Sequence, residues 1–332
     1  NRSIFGLYFE GNGTHYVYNN FIYDLRAPHA QPYSAAYASI YGIYSDSPQG
    51  NNYSLNLYHN TVFFNYITDN PQNSSTNLYI GTSTYYQNAK ITLINNIFVN
   101  NTDVTNGAMA CAIRFSTNYL NNLGTLTNNN LYYAGTPSSK NLIFYDGTNS
   151  LQTIEAYRNY VATRDQYSFT ELPPFVNTTD NIDVHIKNDA PTQVEGSGTA
   201  ITTPIIVNKD IDNENRNGST PDLGADEGNF IYGNDSYPPV ITFTNISDGY
   251  VTNYKTVQGV LINDKSGINT NEGTKPRLYY KKSTDNNEFN DNTNTTQGWK
   301  FVEATSSKGS FEFVIDFTKL NSFPLTVGDV IQ

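Results

Sequence analysis

The sequence predicts an all-β chain that begins with a parallel β-helix and continues into a module of short antiparallel strands. Three observations lead to this prediction. Apolar segments recur at a fixed period in the first 149 residues, asparagines recur at one place in each repeat, and the composition favours strands and turns. Such repetition is typical of stacked units, none of which can bury its apolar face alone.

The repeat period is about 35 residues. Counted from Leu7, the apolar segments recur at Ile43, Leu78 and Ile113, which gives steps of 36, 35 and 35 residues. A weaker copy begins at Leu142, 29 residues further on. We therefore expect about five irregular turns, or rungs, in this region.

Each repeat reads as strand, loop, strand, asparagine-containing bend and strand. Its apolar residues alternate with period two instead of 3.6. Asn, Thr, Ser, Gly and Tyr are abundant, whereas the helix formers Ala, Leu, Glu and Lys are few. Stacking such units gives the rungs of a parallel β-helix at strand spacing, about 4.8 Å.

A polar pair interrupts the apolar segments of each repeat, and its second member is Asn20, Asn60, Asn96 or Asn130. Stacked rungs would bring these four side chains together, so that each amide hydrogen-bonds the amides above and below it. Asparagine also tolerates the left-handed backbone of a sharp bend. We interpret the four asparagines as a structural ladder instead of a ligand site, and His59 as a substitution in it.

The chain changes character after the repeats. Ile154, Tyr157 and Val161 fall on one face of a predicted short helix, and Ser150 can cap it. This helix begins a cap and closing segment over residues 150–235, which covers the end or side of the solenoid.

The closing segment ends in a distinctive motif. The stretch "DIDNENRNGSTPDLGADEG", Asp210 to Gly228, resembles the closing motif of a large bacterial group of secreted right-handed parallel β-helix proteins, related in fold to pectate lyases. The preceding "IEAYRNYVATRDQYSFTELPPFVN" also resembles that group. The resemblance spans residues 1–230 and implies a right-handed parallel β-helix domain over residues 1–235. It implies no particular activity, because fold does not determine function.

A second module follows the linker "GNDSYPPV". Segments such as "PVITFTN", "KTVQGVLIND" and "SFEFVIDF" alternate apolar and polar residues between turns, which is typical of an antiparallel sandwich. Residues 236–332 are similar to immunoglobulin-like modules of surface proteins of the Bacteroidetes type. Further chain normally follows "VGDVIQ" in such modules, so we expect an immunoglobulin-like β-sandwich that lacks its last strand or receives one from another chain.

Negative charge is concentrated in the closing segment. The chain has 19 Lys and Arg against 30 Asp and Glu, a net charge of −11. Residues 171–235 contain 3 of the basic and 12 of the acidic residues, a net charge of −9. The absence of a basic stretch disfavours nucleic acid and anionic membranes as partners. No apolar run approaches the roughly 18 residues of a membrane span.

Carboxylates alternate within that segment at Asp210, Asp212 and Glu214, and Asp222 follows nearby. Alternating oxygens in a loop suit Ca²⁺, although the EF-hand pattern is not met. The alternative is that the carboxylates hold Arg216 and backbone amides and so close the domain. We favour closure, and keep calcium as the candidate cofactor of these four acidic residues.

The pectate-lyase-like resemblance also implies an enzymatic alternative, a polysaccharide lyase or hydrolase that works with clustered carboxylates. Such clusters must come from corresponding positions of adjacent rungs. Counted from the ladder asparagines, the acids of the rungs fall at different offsets, and Asp69 and Asp103 are those expected to approach each other across a loop. Metal-binding histidine spacing and nucleophile motifs are absent from the sequence, so no catalytic residue is assigned.

The preferred hypothesis is an extracellular or cell-surface structural protein, either adhesive or a subunit of a head-to-tail fibre. An open first rung and an incomplete sandwich would be complementary joining surfaces. Its expected partners are copies of itself or cell-surface glycans. Tyr8, Tyr44 and Tyr79 alternate with core residues, so an exposed tyrosine row makes a glycan-binding module the second alternative.

Overall fold

The computed structural model describes residues 3–27, 38–66, 73–104, 107–233, 239–247, 249–250, 253–263, 268–289, 292–307 and 310–332. The chain divides into two compact units, Asn1–Asn234 and Asp235–Gln332. It is nearly all β, with 5% helix. Within the described ranges, no helix has the length and hydropathy needed to cross a membrane.

The first unit is a β-solenoid of about six turns, which confirms the predicted all-β, parallel architecture. Its rung-forming strands follow one another as β1 (Ile4–Phe9), β2 (Thr14–Tyr18), β3 (Phe21–Tyr23), β4 (Ala38–Ser45), β5 (Ser54–Tyr58), β6 (Thr61–Phe64), β7 (Ser74–Ile80), β8 (Lys90–Ile94), β9 (Ile97–Asn100), β10 (Ala110–Phe115), β11 (Leu131–Tyr133) and β12 (Asn141–Tyr145). A 3₁₀ turn, Leu120–Asn122, lies between β10 and β11.

Three parallel sheets run along the solenoid. Sheet A has the order β1-β4-β7-β10-β12, sheet B the order β2-β5-β8, and sheet C the order β3-β6-β9-β11. In sheet A, Leu7 pairs with Ile43, Ile43 with Leu78, and Leu78 with Ile113. The side chains of Ile43, Leu78 and Ile113 are completely buried. The apolar repeat is therefore an inner column of the core.

The bend between sheets B and C explains the polar pair of each repeat. Its first member is Asn19, His59, Asn95 or Asn129, and all four have a left-handed backbone with φ between 50° and 62°. Asn and His tolerate this conformation better than β-branched or bulky residues do. His59 stands where the other three repeats have Asn, as the sequence indicates, but it belongs to this left-handed row, and the ladder position of its repeat is Asn60.

The second members of the pairs are hydrogen-bonded to one another along the solenoid. The Nδ2 of Asn20 donates to the Oδ1 of Asn60 at 2.8 Å, Asn60 donates to Asn96 at 3.0 Å, and Asn96 donates to Asn130 at 2.9 Å. All but Asn20 are completely buried. These side chains also reach the backbone: Asn96 Nδ2 donates to the carbonyl of Leu57 at 2.8 Å.

Asp165 ends this row of amides, and the sequence did not suggest it. Its Oδ1 accepts hydrogen bonds from Asn130 Nδ2 at 2.9 Å and from Ser168 Oγ. Its Oδ2 accepts from the hydroxyls of Tyr132 at 3.0 Å and Tyr157 at 2.7 Å. Burial raises the pKa of Asp165, while these donors lower it. The four donors explain how a carboxyl group is accommodated at complete burial.

The closing segment contains β13 (Ser150–Leu151), α1 (Ile154–Val161), β14 (Phe175–Asn177), β15 (Asp183–Ile186), β16 (Pro191–Thr192) and β17 (Ile231–Tyr232). The predicted helix is confirmed, since α1 buries Ile154, Tyr157 and Val161. Its cap is Thr153, whose side chain accepts from the Ala156 amide at 3.3 Å. Ser150 lies in β13 instead, antiparallel to β12.

The left-handed row binds the closing segment to the solenoid. Asn19 Nδ2 donates to the carbonyl of Lys209 at 2.6 Å, and Asn95 Nδ2 donates to that of Thr199 at 2.7 Å. Asn129 Nδ2 makes the same kind of contact with the carbonyl of Ser197 at 2.9 Å. Three of the four polar pairs therefore have one side chain in the ladder and one bound to the closing segment, while His59 Nε2 lies 2.8 Å from Asn95 Nδ2.

The second unit consists of small antiparallel sheets. Its strands are β18 (Val240–Thr242), β19 (Tyr254–Asn263), β20 (Arg277–Tyr280), β21 (Lys300–Glu303), β22 (Thr305–Ser307) and β23 (Ser310–Asp316), followed by a 3₁₀ turn, Phe317–Lys319. One sheet has the order β18-β19-β23-β22, and β20 pairs with β21. Val257, Tyr280, Phe313 and Ile315 are buried in its core. The predicted antiparallel strands are present, and their immunoglobulin-like arrangement stays a prediction.

Candidate functional site

The outer face of sheet A carries a row of large side chains in register. Tyr8 pairs with Tyr44, Tyr44 with Tyr79, Tyr79 with Arg114, and Arg114 with Tyr145. These five residues are called the outer row below. They alternate with the inner column, because successive residues of a strand point to opposite faces.

The rings of the outer row stack on one another. The centroids of Tyr8 and Tyr44 are 5.2 Å apart and those of Tyr44 and Tyr79 are 4.5 Å apart, with an angle of 6° between planes in both cases. Phe5 packs its edge against Tyr44 at 5.0 Å, and Arg114 lies 4.9 Å from the centre of the Tyr145 ring. Because neighbouring ring faces cover each other, the row presents ring edges and hydroxyl groups.

Two carboxylates lie beside the first tyrosine of the row. The hydroxyl of Tyr8, a residue 46% exposed, donates to Glu10 Oε2 at 3.2 Å and to Asp46 Oδ2 at 3.3 Å. Asp46 Oδ1 accepts from the Ser47 amide at 2.7 Å, which orients that carboxylate. The site therefore combines aromatic edges, a phenol donor and two acceptors on one surface.

Burial, followed by the charges of Asp46 and Glu10, raises the pKa of Tyr8 to about 12. Burial is also the main cause of the raised pKa of Tyr44, with Tyr79 and Asp46 adding to it. Both hydroxyls therefore stay protonated at neutral pH and act as hydrogen-bond donors.

Sequence reasoning missed the pairing of Glu10 with Asp46, although a signal was available. Counted from the ladder asparagines, the acidic residues of successive rungs fall at different offsets, which hides this pair. Counted from Leu7 and Ile43, the two carboxylates both fall three residues later. The next rung has Gly81 at this position, where a Cβ would lie 2.3 Å from the Ser47 backbone nitrogen. The close approach of that backbone limits the acidic pair to two rungs.

The acids predicted to bind calcium are not gathered at one point. Asp210 Oδ1 accepts from the amides of Asp212 and Glu214 at 3.0 and 2.7 Å, and its Oδ2 accepts from the Glu227 amide at 3.2 Å. The two oxygens of Asp222 accept from backbone amides 2.7 and 3.0 Å away. Glu214 is exposed. Calcium binding by the four residues stays a prediction.

Arg216 is at the centre of the closing motif. Its Nη1 donates to Glu227 Oε2 at 3.1 Å, and its Nη2 donates to Asn19 Oδ1 at 3.0 Å. Nη2 also reaches the carbonyls of Gly224 and Ala225, both at 3.0 Å. The guanidinium therefore joins the closing motif to the first bend. Its carboxylate partner is Glu227, whereas Asp210 and Asp222, which the closure interpretation placed on Arg216, accept from backbone amides.

A different group of ligand-type side chains meets near this motif. One ligand atom each from His185, Asp212 and Asp226 lies within 4.8 Å of the others. Among the described residues, these three are the His, Cys, Asp or Glu side chains that lie close enough together to share a metal ion. It includes Asp212 and omits the other three residues of the calcium prediction.

The remaining candidates are separate from both sites. Asp69 lies outside the described residues. Asp103 is exposed, and its amide donates to the carbonyl of Tyr66 at 3.0 Å. Cys111 is buried, and burial raises the pKa of its thiol to about 12, which makes it a poor nucleophile.

No protein-family model, curated protein or solved structure matches this chain.

Proposed function

We propose that this protein is a secreted or cell-surface structural and adhesive protein, and that it binds extended glycans along the outer row of sheet A. The observation that carries the proposal is the in-register stack of Tyr8, Tyr44 and Tyr79 beside the carboxylates of Glu10 and Asp46. In this proposal the rest of the solenoid is a rigid support, in which buried amides join one rung to the next.

Carbohydrates suit such a surface chemically. The ring edges provide apolar contact, the tyrosine hydroxyls donate hydrogen bonds, and the carboxylates accept them from sugar hydroxyls. The row repeats at strand spacing, about 4.8 Å. A ligand with a short repeat of its own, such as an extended polysaccharide, can therefore meet equivalent groups on successive rungs.

The same proposal includes the finer assignments that the resemblance implies. The solenoid is a right-handed parallel β-helix of the bacterial pectate-lyase-like group, and the second unit is an immunoglobulin-like module of the Bacteroidetes type. The closing motif around Arg216 and the antiparallel sheets support these assignments. Both assignments suit a protein that acts outside the cell.

A panel of immobilised polysaccharides tests the glycan proposal. The full chain, Tyr44→Ala and the control Tyr85→Ala are compared for binding and for release of reducing ends. Tyr85 is 88% exposed and lies outside the outer row. We expect binding without product release, a loss of affinity of at least about tenfold in Tyr44→Ala, and no change in the control. Equal binding by the two variants, or none by the unchanged chain, would refute the proposal.

Assembly of copies into a fibre is a further part of the proposal. The second unit contains an apolar cavity of about 760 Å³ that is lined by Val260, Phe313 and Val327, among others. A strand from another copy would fill this cavity. Electron microscopy of the full chain should show fibres, and isolated particles at high concentration would count against assembly.

A polysaccharide hydrolase is the second candidate, and the pair Glu10 and Asp46 favours it. Glycoside hydrolysis uses two carboxylates separated by roughly 5 to 9.5 Å. Both carboxylates here approach the hydroxyl of Tyr8, at 3.2 and 3.3 Å, so they lie close enough to flank one bond. Release of reducing ends that is lost in Glu10→Gln and Asp46→Asn, and kept in the control Asp103→Asn, would replace the adhesive proposal with this one.

A further inference from the structure

A histidine and three aspartates meet on the outside of the closing segment. His185 and Asp183 project from the same face of β15, while Val184 and Ile186 between and beside them are buried. The edge of Phe21, from the first rung, packs against the His185 ring with centroids 4.9 Å apart. The imidazole is therefore held from two sides.

Asp183 orients the imidazole toward the other aspartates. Its Oδ1 lies 2.5 Å from His185 Nδ1 and also accepts from the His185 amide at 3.1 Å. With a proton on Nδ1, the lone pair of Nε2 points to the opposite side, where Asp212 Oδ2 is 2.8 Å away. A carboxylate on the far nitrogen is the usual support of a metal-binding histidine, because it sets the tautomer and the ring orientation.

Asp226 supplies the third ligand and has unused capacity. It is 8% exposed, and its Oδ2 accepts from the Ile186 amide at 2.8 Å. Its Oδ1 has no hydrogen-bond donor among the described residues, although the side chain lies within the group of three. This carboxylate oxygen is available to coordinate a cation or to accept a hydrogen bond from water.

The charge at this place also calls for a cation. In the described part of the chain, the ion pairs of Asp183 and Asp212 are both formed with His185, and Asp226 forms none. Three carboxylates thus share one imidazole, within a segment of net charge −9. A divalent ion would compensate this excess, whereas an imidazolium compensates only one of the three charges.

We infer that His185, Asp212 and Asp226 form a site for a divalent transition metal ion, with Asp183 as the positioning residue behind the histidine. One imidazole nitrogen and two carboxylate oxygens suit Zn²⁺ or Mn²⁺, whereas Ca²⁺ takes oxygen ligands. The side chains of His185 and Asp212 are 37% and 54% exposed, so water can complete the coordination. The ion would join β15 to the closing motif, and this inference is independent of the glycan proposal.

Equilibrium dialysis of the full chain tests the site. The protein is first treated with a chelator and then dialysed against Zn²⁺, Mn²⁺ or Ca²⁺ chloride, and metal content and thermal unfolding are measured. We expect one Zn²⁺ or Mn²⁺ per chain and a higher Tm in its presence. Asp212→Asn and His185→Gln should weaken the affinity by at least about tenfold, and Asp183→Asn by about 10- to 100-fold.

Glu214→Gln is the matched control, since Glu214 is exposed in the same loop and its change removes the same charge as Asp212→Asn. It should leave the affinity within about twofold. The exposure of Asp212 makes Asp212→Asn compatible with folding even where His185→Gln is not. The inference is overturned when the unchanged chain takes up no transition metal, when Asp212→Asn and Glu214→Gln bind equally, or when Ca²⁺ alone binds and Glu214→Gln abolishes it.

Discussion

The asparagine ladder and the outer row of sheet A are built in the same way and have opposite surroundings. Each repeats one kind of side chain at the same place on successive rungs. Asn60, Asn96 and Asn130 are completely buried, and their amides are hydrogen-bonded to each other and to the backbone. Tyr8 is 46% exposed, and its hydroxyl meets carboxylates at the surface. Repetition of a side chain on successive rungs therefore indicates the architecture. Exposure of such side chains, together with hydrogen-bonding groups that are not saturated, indicates where a ligand can bind.

Changing the middle of the ladder should have the largest effect on stability. Asn96→Ala removes the acceptor of the Asn60 backbone amide, one of the two acceptors of Asn60 Nδ2, and a donor to the carbonyl of Leu57. Each such loss costs about 1–3 kcal/mol, so we expect the free energy of unfolding to fall by about 3 kcal/mol or more. Denaturant titration of the full chain measures it. Asn20→Ala is the matched variant at the partly exposed end, and a loss as large as that of Asn96→Ala would contradict the role of burial.

The end of the ladder should be nearly as sensitive. In Asp165→Asn, an amide nitrogen replaces one of two oxygens that accept from Asn130, Ser168, Tyr132 and Tyr157. The new amide nitrogen is a hydrogen-bond donor that faces other donors. We therefore expect the free energy of unfolding to fall by about 2 kcal/mol, measured by the same denaturant titration. Asp180→Asn, at an exposed position, should change nothing measurable. Equal stability of the two variants would show that Asp165 does not support the ladder.

A pH-dependent effect is expected from Asp222 in the closing motif. Burial, with the charges of Glu227 and Glu195, raises its pKa to about 7. The folded chain then binds this proton more tightly than the unfolded chain. Its contribution to stability is complete below about pH 4 and is lost as the pH rises toward about 7, with a slope of at most about 1.4 kcal/mol per pH unit.

Unfolding curves measured between pH 4 and pH 8 test this assignment. Asp222→Asn should flatten the pH dependence of stability in that range, while Glu214→Gln, which removes an exposed carboxylate, should leave it unchanged. Parallel profiles for the original chain and Asp222→Asn would assign the dependence to another group.

A smaller effect on stability than that of Asn96→Ala is expected in the outer row, although its side chains are the largest. Tyr44→Ala removes stacking with Tyr8 and Tyr79 from a surface that is partly exposed. We expect the free energy of unfolding to fall by about 1–3 kcal/mol, since each of the two aromatic pairs contributes about 0.5–1.5 kcal/mol beyond burial. Thermal unfolding measures it. A loss equal to that of Asn96→Ala would make the outer row a structural feature like the ladder.

The fold was largely predictable because its signals are local and periodic. A period of about 35 residues and the recurrence of Asn20, Asn60, Asn96 and Asn130 indicate stacked parallel strands from the sequence alone. Helix α1 was equally visible, since three apolar residues at helical spacing are enough to define a face.

The candidate sites were less predictable, for two reasons. Glu10 and Asp46 required the choice of the right repeat landmark, sheet A instead of the ladder. His185, Asp212 and Asp226 come from separate stretches of the closing segment, and no spacing in the sequence relates them.

By itself, the sequence determined the all-β class, the rung period and the pairing of two polar residues at each bend, because each depends on neighbours in the chain or on a constant repeat. Only the tertiary structure decided which member of each pair joins the ladder and which one faces the closing segment. Asn95 meets Thr199 and Asn19 meets Lys209, contacts that join stretches 104 and 190 residues apart. Such contacts depend on how the closing segment packs against the solenoid, and no local pattern encodes that packing.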